Sequence, residues 1–255
     1  MKAFSSDIPA LFHPERVNQG ETVHLDPEES RHVRALRLRS GDQMQLLDGA
    51  GNRAFGRLQE EGRGSFLVRV ERTVLEEEDP GAYIGLGIGL LSDKGRMEWL
   101  IEKSVELGVR GLYPLQSQRA EGFFREDRAR RVAIAALKQS QRTWLPEISG
   151  PLDWEEIAGV LQGYDAVMLC HEGEDVEEDV MTRLDQIKEN ERIFLLIGPE
   201  GGFSEEEVKR GRDQYNATIV SLGSTRLRAE TAAIVALAAI QLRAFKVQNS
   251  KRGRE

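Results

Sequence analysis

The chain has 255 residues, 40% hydrophobic and 31% charged, enough for one large packed domain or two modest ones. Its net charge of -8, from 43 acids against 35 Lys and Arg, speaks by bulk charge against a nucleic-acid binder. The apolar run at 231–242 is too short and alanine-rich to span a bilayer, the single cysteine Cys170 excludes an internal disulfide, and four scattered His leave no ligand-spaced metal site.

The N-terminus lacks a basic region followed by an apolar stretch, so no export signal is expected, and the lone cysteine fits a reducing cytoplasm. Asp26-Pro27 predicts a helix start, since Asp caps and Pro tolerates the first turn, and Glu29 follows three residues after the cap. The helix is expected to reach position 38, with Val33, Leu36 and Leu38 facing inward. Arg31, Arg34, Arg37 and Arg39 crowd this one segment. Such a patch can meet phosphates even in an acidic protein, although a row of exposed arginines is also an ordinary solvated surface. Strands are predicted at 43–47, 53–58 and 65–74, the first ending in the Asp48-Gly49 turn. A strand-rich stretch of this size suggests a small barrel, and the acidic residues 76–81 suggest a linker.

The rhythm changes after Tyr83. Ile84, Leu86, Ile88 and Leu90 alternate with glycines, predicting a strand whose glycine face admits close packing. A helix over 94–107 follows, with Met97, Leu100, Ile101 and Val105 as its apolar stripe and Gly108 as its stop. Met97 and Trp99 are expected in helix packing; Trp144 is expected as a buried aromatic or a base-stacking ring. Strands at 111–115, 166–170, 193–197 and 218–222 alternate with helices at 125–141, 180–188, 204–215 and 230–245. Ser204 and Glu207 form a capping box at the head of one of them. This alternation predicts an α/β domain with a largely parallel sheet. The polar tail at 247–255 is expected to be disordered.

Two segments carry chemistry. In Ile197-Gly198-Pro199-Glu200-Gly201-Gly202, a buried strand runs into a glycine-rich turn and then into a capped helix. Ligands of open α/β sheets bind beyond the carboxyl ends of the strands, and glycines there let the backbone approach them. The same pattern also describes a plain tight strand-to-helix loop. In Leu222-Gly223-Ser224-Thr225-Arg226-Leu227-Arg228-Ala229-Glu230, Arg228 and Glu230 flank a helix N-terminus. The helix dipole favours Glu there but not Arg, so Arg228 fits a bound anion or developing negative charge, with a surface salt bridge as the plainer reading. The Gly-Lys-Ser/Thr phosphate loop is absent, and Gly85-x-Gly87-x-Gly89 lies within a strand rather than at a dinucleotide turn.

The order of blocks resembles the RsmE family of ribosomal RNA small-subunit methyltransferases, of the SPOUT superfamily, over nearly the whole chain. Arg31-His32 to Leu36-Arg37, with Gly41-Asp42 and Asp48-Gly49, resembles the family's N-terminal PUA-like RNA-binding barrel. Lys94-Gly95-Arg96-Met97-Glu98-Trp99 with Glu102 to Gly108 resembles its first catalytic-domain helix, and Gln139-Ser140-Gln141-Arg142 with Leu145-Pro146-Glu147-Ile148 its middle signature. Residues 197–203 and 227–231 resemble its cofactor loops. Where the family usually has an Arg two residues after the glycine matching Gly223, this chain has Thr225 and then Arg226; the usual Thr between the last Arg and Glu is Ala229.

The resemblance implies a small PUA-like β-barrel over 1–78 and a SPOUT-type α/β domain with a deep trefoil knot over 82–246. It implies a homodimer that transfers a methyl group from S-adenosylmethionine to N3 of a uridine in 16S rRNA of the small subunit, leaving S-adenosylhomocysteine. The cofactor positions it implies are Leu169, Cys170 and His171; Ile197, Gly198, Pro199, Glu200, Gly201 and Gly202; and Leu222, Gly223, Leu227 and Arg228. Arg31, Arg34, Arg37 and Arg39 become the expected RNA contacts, with Arg125, Arg128, Arg130 and Arg131 as the other basic face. Uracil N3 is a poor nucleophile until it loses its proton. Arg228 is therefore the candidate for stabilising charge on the uracil carbonyl oxygens, while Glu230 would orient Arg228, accept a proton or cap the helix. A knotted methyltransferase acting on ribose 2′-OH or another base, and an RNA-binding protein without catalysis, are the alternatives.

Overall fold

The computed structural model describes residues 8–62, 64–75 and 81–252. The chain divides into two compact units. One combines the described residues up to position 75 with Ile134–Leu145; the other holds 81–133 and everything from Pro146.

The first unit contains β1 (Ala10–Phe12), β2 (Thr22–His24), α1 (Pro27–Ala35), β3 (Gln43–Leu47), β4 (Asn52–Glu60) and β5 (Phe66–Leu75). They form a five-stranded sheet in the order β1-β3-β4-β5-β2, with β1 parallel to β3 and the remaining pairs antiparallel. Among the described residues β1 and β2 are the edges of this order. Asp26 accepts the Glu29 N–H at 2.7 Å and caps α1, whose Val33 is fully buried. Leu36, expected to face inward, is the C-cap and is 45% exposed. The helix ends before it, and Arg37 turns left-handed at φ 58°, which swings Leu38 back toward the core instead.

In the second unit the chain runs through β6 (Ile84–Gly89), α2 (Lys94–Glu106), β7 (Val109–Leu115), α3 (Glu126–Ser140), β8 (Glu147–Ile148), α4 (Trp154–Leu161), β9 (Ala166–Cys170), β10 (Glu178–Asp179), α5 (Val180–Gln186), β11 (Ile193–Ile197), α6 (Glu205–Tyr215), β12 (Thr218–Ser221) and α7 (Ala229–Arg252). Its sheet has seven strands in the order β10-β12-β9-β11-β6-β7-β8, and every pairing is parallel. Helical connections make parallel pairing possible, and the near-continuous apolar strands Ile193–Ile197 and Ala166–Cys170 mark a sheet buried on both faces. A Cβ on Gly85 or Gly87 would come within 2.6 or 2.9 Å of the Phe194 ring, so the glycine face of β6 exists to seat that aromatic.

Three expectations change. The second half of α3 and the residues to Leu145 belong with the first unit, not with the α/β domain where the sequence placed them. The reason is specific pairing: Lys138 meets Glu29 at 2.6 Å, Arg53 donates to the Gln141 carbonyl at 2.7 Å, and Ala50 bridges to Trp144, which is half-buried. α7 continues to Arg252, so 247–252 are helical rather than disordered; an alanine-rich helix with no Gly or Pro before position 253 has no reason to stop earlier. Trp99 is 43% exposed, whereas Met97 packs inside as expected. The expected linker lies, except for Gly81, outside the described residues. No helix among the described residues is long and apolar enough to cross a membrane.

Candidate active site

β12, β9 and β11 are neighbours, so the loops leaving their carboxyl ends come together. They enclose a cavity of about 890 Å³, within the usual range of small-molecule sites. From β9 it takes Cys170 and His171; from β11, Ile197, Gly198, Pro199, Glu200, Gly201 and Gly202; from β12, Leu222, Gly223, Leu227 and Arg228. Of the expected cofactor positions only Leu169 does not line it: its side chain is fully buried in the core beneath the sheet. Burial pushes the Cys170 thiol up to about 12, so it stays protonated and is no nucleophile.

The β11 loop is held by its backbone. Gly202 N–H donates to the Pro199 carbonyl at 2.9 Å, closing a turn that leaves Gly202 at φ 69°, a conformation favouring glycine. A Cβ on Gly198 would lie 2.7 Å from the Phe203 nitrogen, so this is the loop position with no room for a side chain; Gly201 meets only the flexible Arg119 stem. α6 then starts on a complete capping box. Glu207 is buried and takes more than the box requires: the Ser204 N–H at 2.8 Å, the Gln118 N–H at 2.8 Å and the Trp154 indole N–H at 2.9 Å. It thereby fastens the segment after β7, where Arg119 donates to the Gly201 carbonyl at 2.9 Å, to the β11 loop.

Charge in the cavity is mixed. Asp93, Glu172 and Glu200 are acidic, and Arg96, Arg119, Arg226 and Arg228 basic. Arg228 is exposed beside the α7 N-terminus, its carbonyl accepting the Ala232 N–H at 2.8 Å, and its side chain pairs with no carboxylate among the described residues. Glu230 is buried and does not orient Arg228. Both its oxygens bond Arg96, one from Nε at 2.8 Å and the other from Nη2. Burial works against its charge, but the Arg96 fork outweighs burial and holds the carboxyl below its ordinary value, so Glu230 is a poor proton acceptor. Arg96 Nη1 also reaches Glu200 at 3.1 Å, and Glu200 in turn accepts the Ser92 hydroxyl at 2.9 Å. Arg96, Asp93 and Arg119 carry no role in the sequence reading; Arg96 stood in the Lys94–Trp99 block, but its partners lie 104 and 134 residues away.

The basic residues of α1 and its exit, Arg31, Arg34, Arg37 and Arg39, are all exposed, and none pairs with a carboxylate among the described residues. Along α3 the reverse holds: Arg128 is forked by Glu98, and Arg125 and Arg131 share Asp127.

An all-parallel sheet with three glycine-bearing loops converging at its carboxyl end defines a small-molecule-binding α/β domain, and it follows a β-rich unit with an exposed basic patch. Matches to known proteins agree: an RNA methyltransferase domain covers residues 78–241 and an RNA methyltransferase PUA domain covers 25–71. The chain belongs to the RNA methyltransferase family that these domains define. A Synechocystis protein named ribosomal RNA small subunit methyltransferase E is 30% identical, with 94% of this chain and 80% of that protein covered. The Bacillus subtilis protein of the same name is 26% identical over 89% and 92%. A crystal structure of the Neisseria gonorrhoeae methyltransferase E bound to S-adenosylmethionine superposes with a TM-score of 0.79 at 26% identity, covering 92% of this chain and 97% of that one.

Proposed function

We propose that this protein transfers a methyl group from S-adenosylmethionine to N3 of a uridine in the 16S rRNA of the small ribosomal subunit. The convergence of the three loops after β9, β11 and β12 on one cavity carries the reading. The cavity's chemistry fits the cofactor. Gly198 has no space for a Cβ because Gly202 and Phe203 fold back against it, which sets the tight turn that brings the loop to the cavity. Ile197, Leu222 and Leu227 offer apolar surface for an adenine, and Asp93 and Glu172 offer acceptors for an ammonium or ribose hydroxyls.

The cofactor supplies an activated methyl on a sulfonium, so the protein's task is to position and ionise the base. Transfer would exchange the sulfur–methyl bond for an N3–CH3 bond, with the N3 proton lost to solvent. Arg228, unpaired and beside the cavity, stabilises the negative charge on the uracil carbonyl oxygens as the proton departs. The base must leave its stack to reach the site. Arg31, Arg34, Arg37 and Arg39 hold the RNA backbone. The RNA methyltransferase domain match supports the deep trefoil knot around the cofactor loops that the sequence resemblance implies. The exposed apolar residues Val235, Leu242 and Phe245 on α7 support a homodimer, and the lone Cys170 supports action in a reducing cytoplasm. Incubation of unmethylated small subunits with the protein and S-adenosylmethionine, followed by nucleoside mass analysis, tests this: 3-methyluridine is expected, and 2′-O-methylation or no product overturns it.

A further inference from the structure

Arg228 and Glu230 are two residues apart at the same helix start, opposite in charge, and yet not paired. Arg228 is near enough to Glu230 to help hold its carboxyl low. A flexible arginine that can reach an unengaged carboxylate can form a charge-assisted, bidentate pair with it. Residues two apart at a helix start do not face each other, and both Glu230 oxygens are already taken by the fork of Arg96 from the first turn of α2. Arg96 is itself fixed: Asp93 caps α2 through the Arg96 N–H at 3.1 Å, and Nη1 is anchored on Glu200.

We infer that Arg96 is a positioning residue that occupies Glu230 and so keeps the Arg228 guanidinium unpaired and free to meet the substrate. The inference rests on the proposed role of Arg228. Glu230 would then be needed only because Arg96 is there, as the two cancel each other. Removing Arg96 alone releases a buried carboxylate that turns to Arg228, whereas removing both charges leaves Arg228 free again.

The test is a four-variant comparison of single-turnover methyl transfer to small subunits, with cofactor affinity measured by calorimetry and folding by thermal melting. Arg228→Ala first establishes whether that side chain matters; if it keeps wild-type turnover, the reading of Arg228 fails and the inference falls with it. Given that Arg228→Ala is impaired, Arg96→Ala should lose about 100-fold in rate, comparable with loss of one charge-stabilising donor. Arg96→Ala/Glu230→Gln should recover to within about tenfold of wild type, because the competing charge is gone. Glu230→Gln alone should stay within about threefold, since a neutral partner can still accept from Arg96; this variant reads the idea even if Arg96→Ala melts early. A double variant as slow as Arg96→Ala would show that Arg96 is only a strut between loops. A Glu230→Gln loss of 100-fold would show that the carboxylate acts directly on the substrate. Either result overturns the inference.

Discussion

Gly89, the last residue of β6, abuts Pro199 so closely that a Cβ there would collide with the proline ring and its nitrogen. The shape of the β11 loop is thus set partly by a residue on a neighbouring strand. Gly89→Ala should push Pro199 toward the cavity and weaken S-adenosylmethionine binding by at least about tenfold, with the fold retained, because the glycine φ is unexceptional and the added methyl strains only the contact with the β11 loop. Calorimetry giving unchanged affinity would free the loop from this constraint.

Arg228→Ala should reduce turnover by about 100- to 1,000-fold while cofactor affinity changes little, since the side chain is proposed to act on charge that develops only during transfer. Loss of cofactor affinity with turnover intact would make Arg228 a binding residue instead.

Glu230 gives stability a pH dependence. Its carboxyl is held below the ordinary 4.5 in the folded chain, so the unfolded chain binds its proton more readily. The stabilisation it contributes is complete above about 4.5 and disappears as pH falls through the lower folded value. Urea unfolding of wild type and Glu230→Gln should therefore diverge at neutral pH and converge progressively as the pH falls below about 4.5. Parallel curves across that window would place the pair's contribution at zero.

Glu207→Ala should cost about 3 kcal/mol, because it leaves the Trp154 indole, the Gln118 amide and the Ser204 amide without their acceptor in a buried place. Glu207→Gln should recover part of this. A thermal melt in which Glu207→Ala is indistinguishable from wild type would show that water replaces all three bonds.

Arg34→Glu with Arg37→Glu should weaken small-subunit binding and reduce the slope of log affinity against log salt by about 1.4 to 1.8, the value for two phosphate contacts. S-adenosylmethionine binding should not change, since neither residue lines the cavity. An unaltered salt slope would move the RNA to another face, although the Arg125, Arg128 and Arg131 side chains are already engaged by acids.

What the sequence showed well was local. Ile193–Ile197 is a continuous apolar strand and Ser204 with Glu207 is a short-range cap, so strand, loop and helix could be placed to the residue. The same local signal marks α4, where Asp153 and Glu156 form a second capping box. β8 and β10 are two-residue strands without any periodicity to read. The contacts that matter most to the site were invisible because they join distant positions: nothing near Arg96 in the sequence points to Glu200 or Glu230. Neither could composition reveal that half of α3 packs with a different unit from its other half, since one amphipathic stripe serves either neighbour.

The order of strands also decides when the site comes into being. β6 pairs with β11, and Ile84 faces Ile193, 109 residues later in the chain. Cavity walls are drawn from Asp93 at one extreme and Ala232 at the other. Local elements such as α2 can form early, but closing so long a loop is entropically slow, and parallel pairing must wait for both strands. A chain still emerging from the ribosome with β12 unsynthesised lacks one whole wall. The ability to bind cofactor is therefore a late event in the life of the nascent chain, and stalled or truncated products ending before α7 should bind no cofactor, however well their first unit has folded.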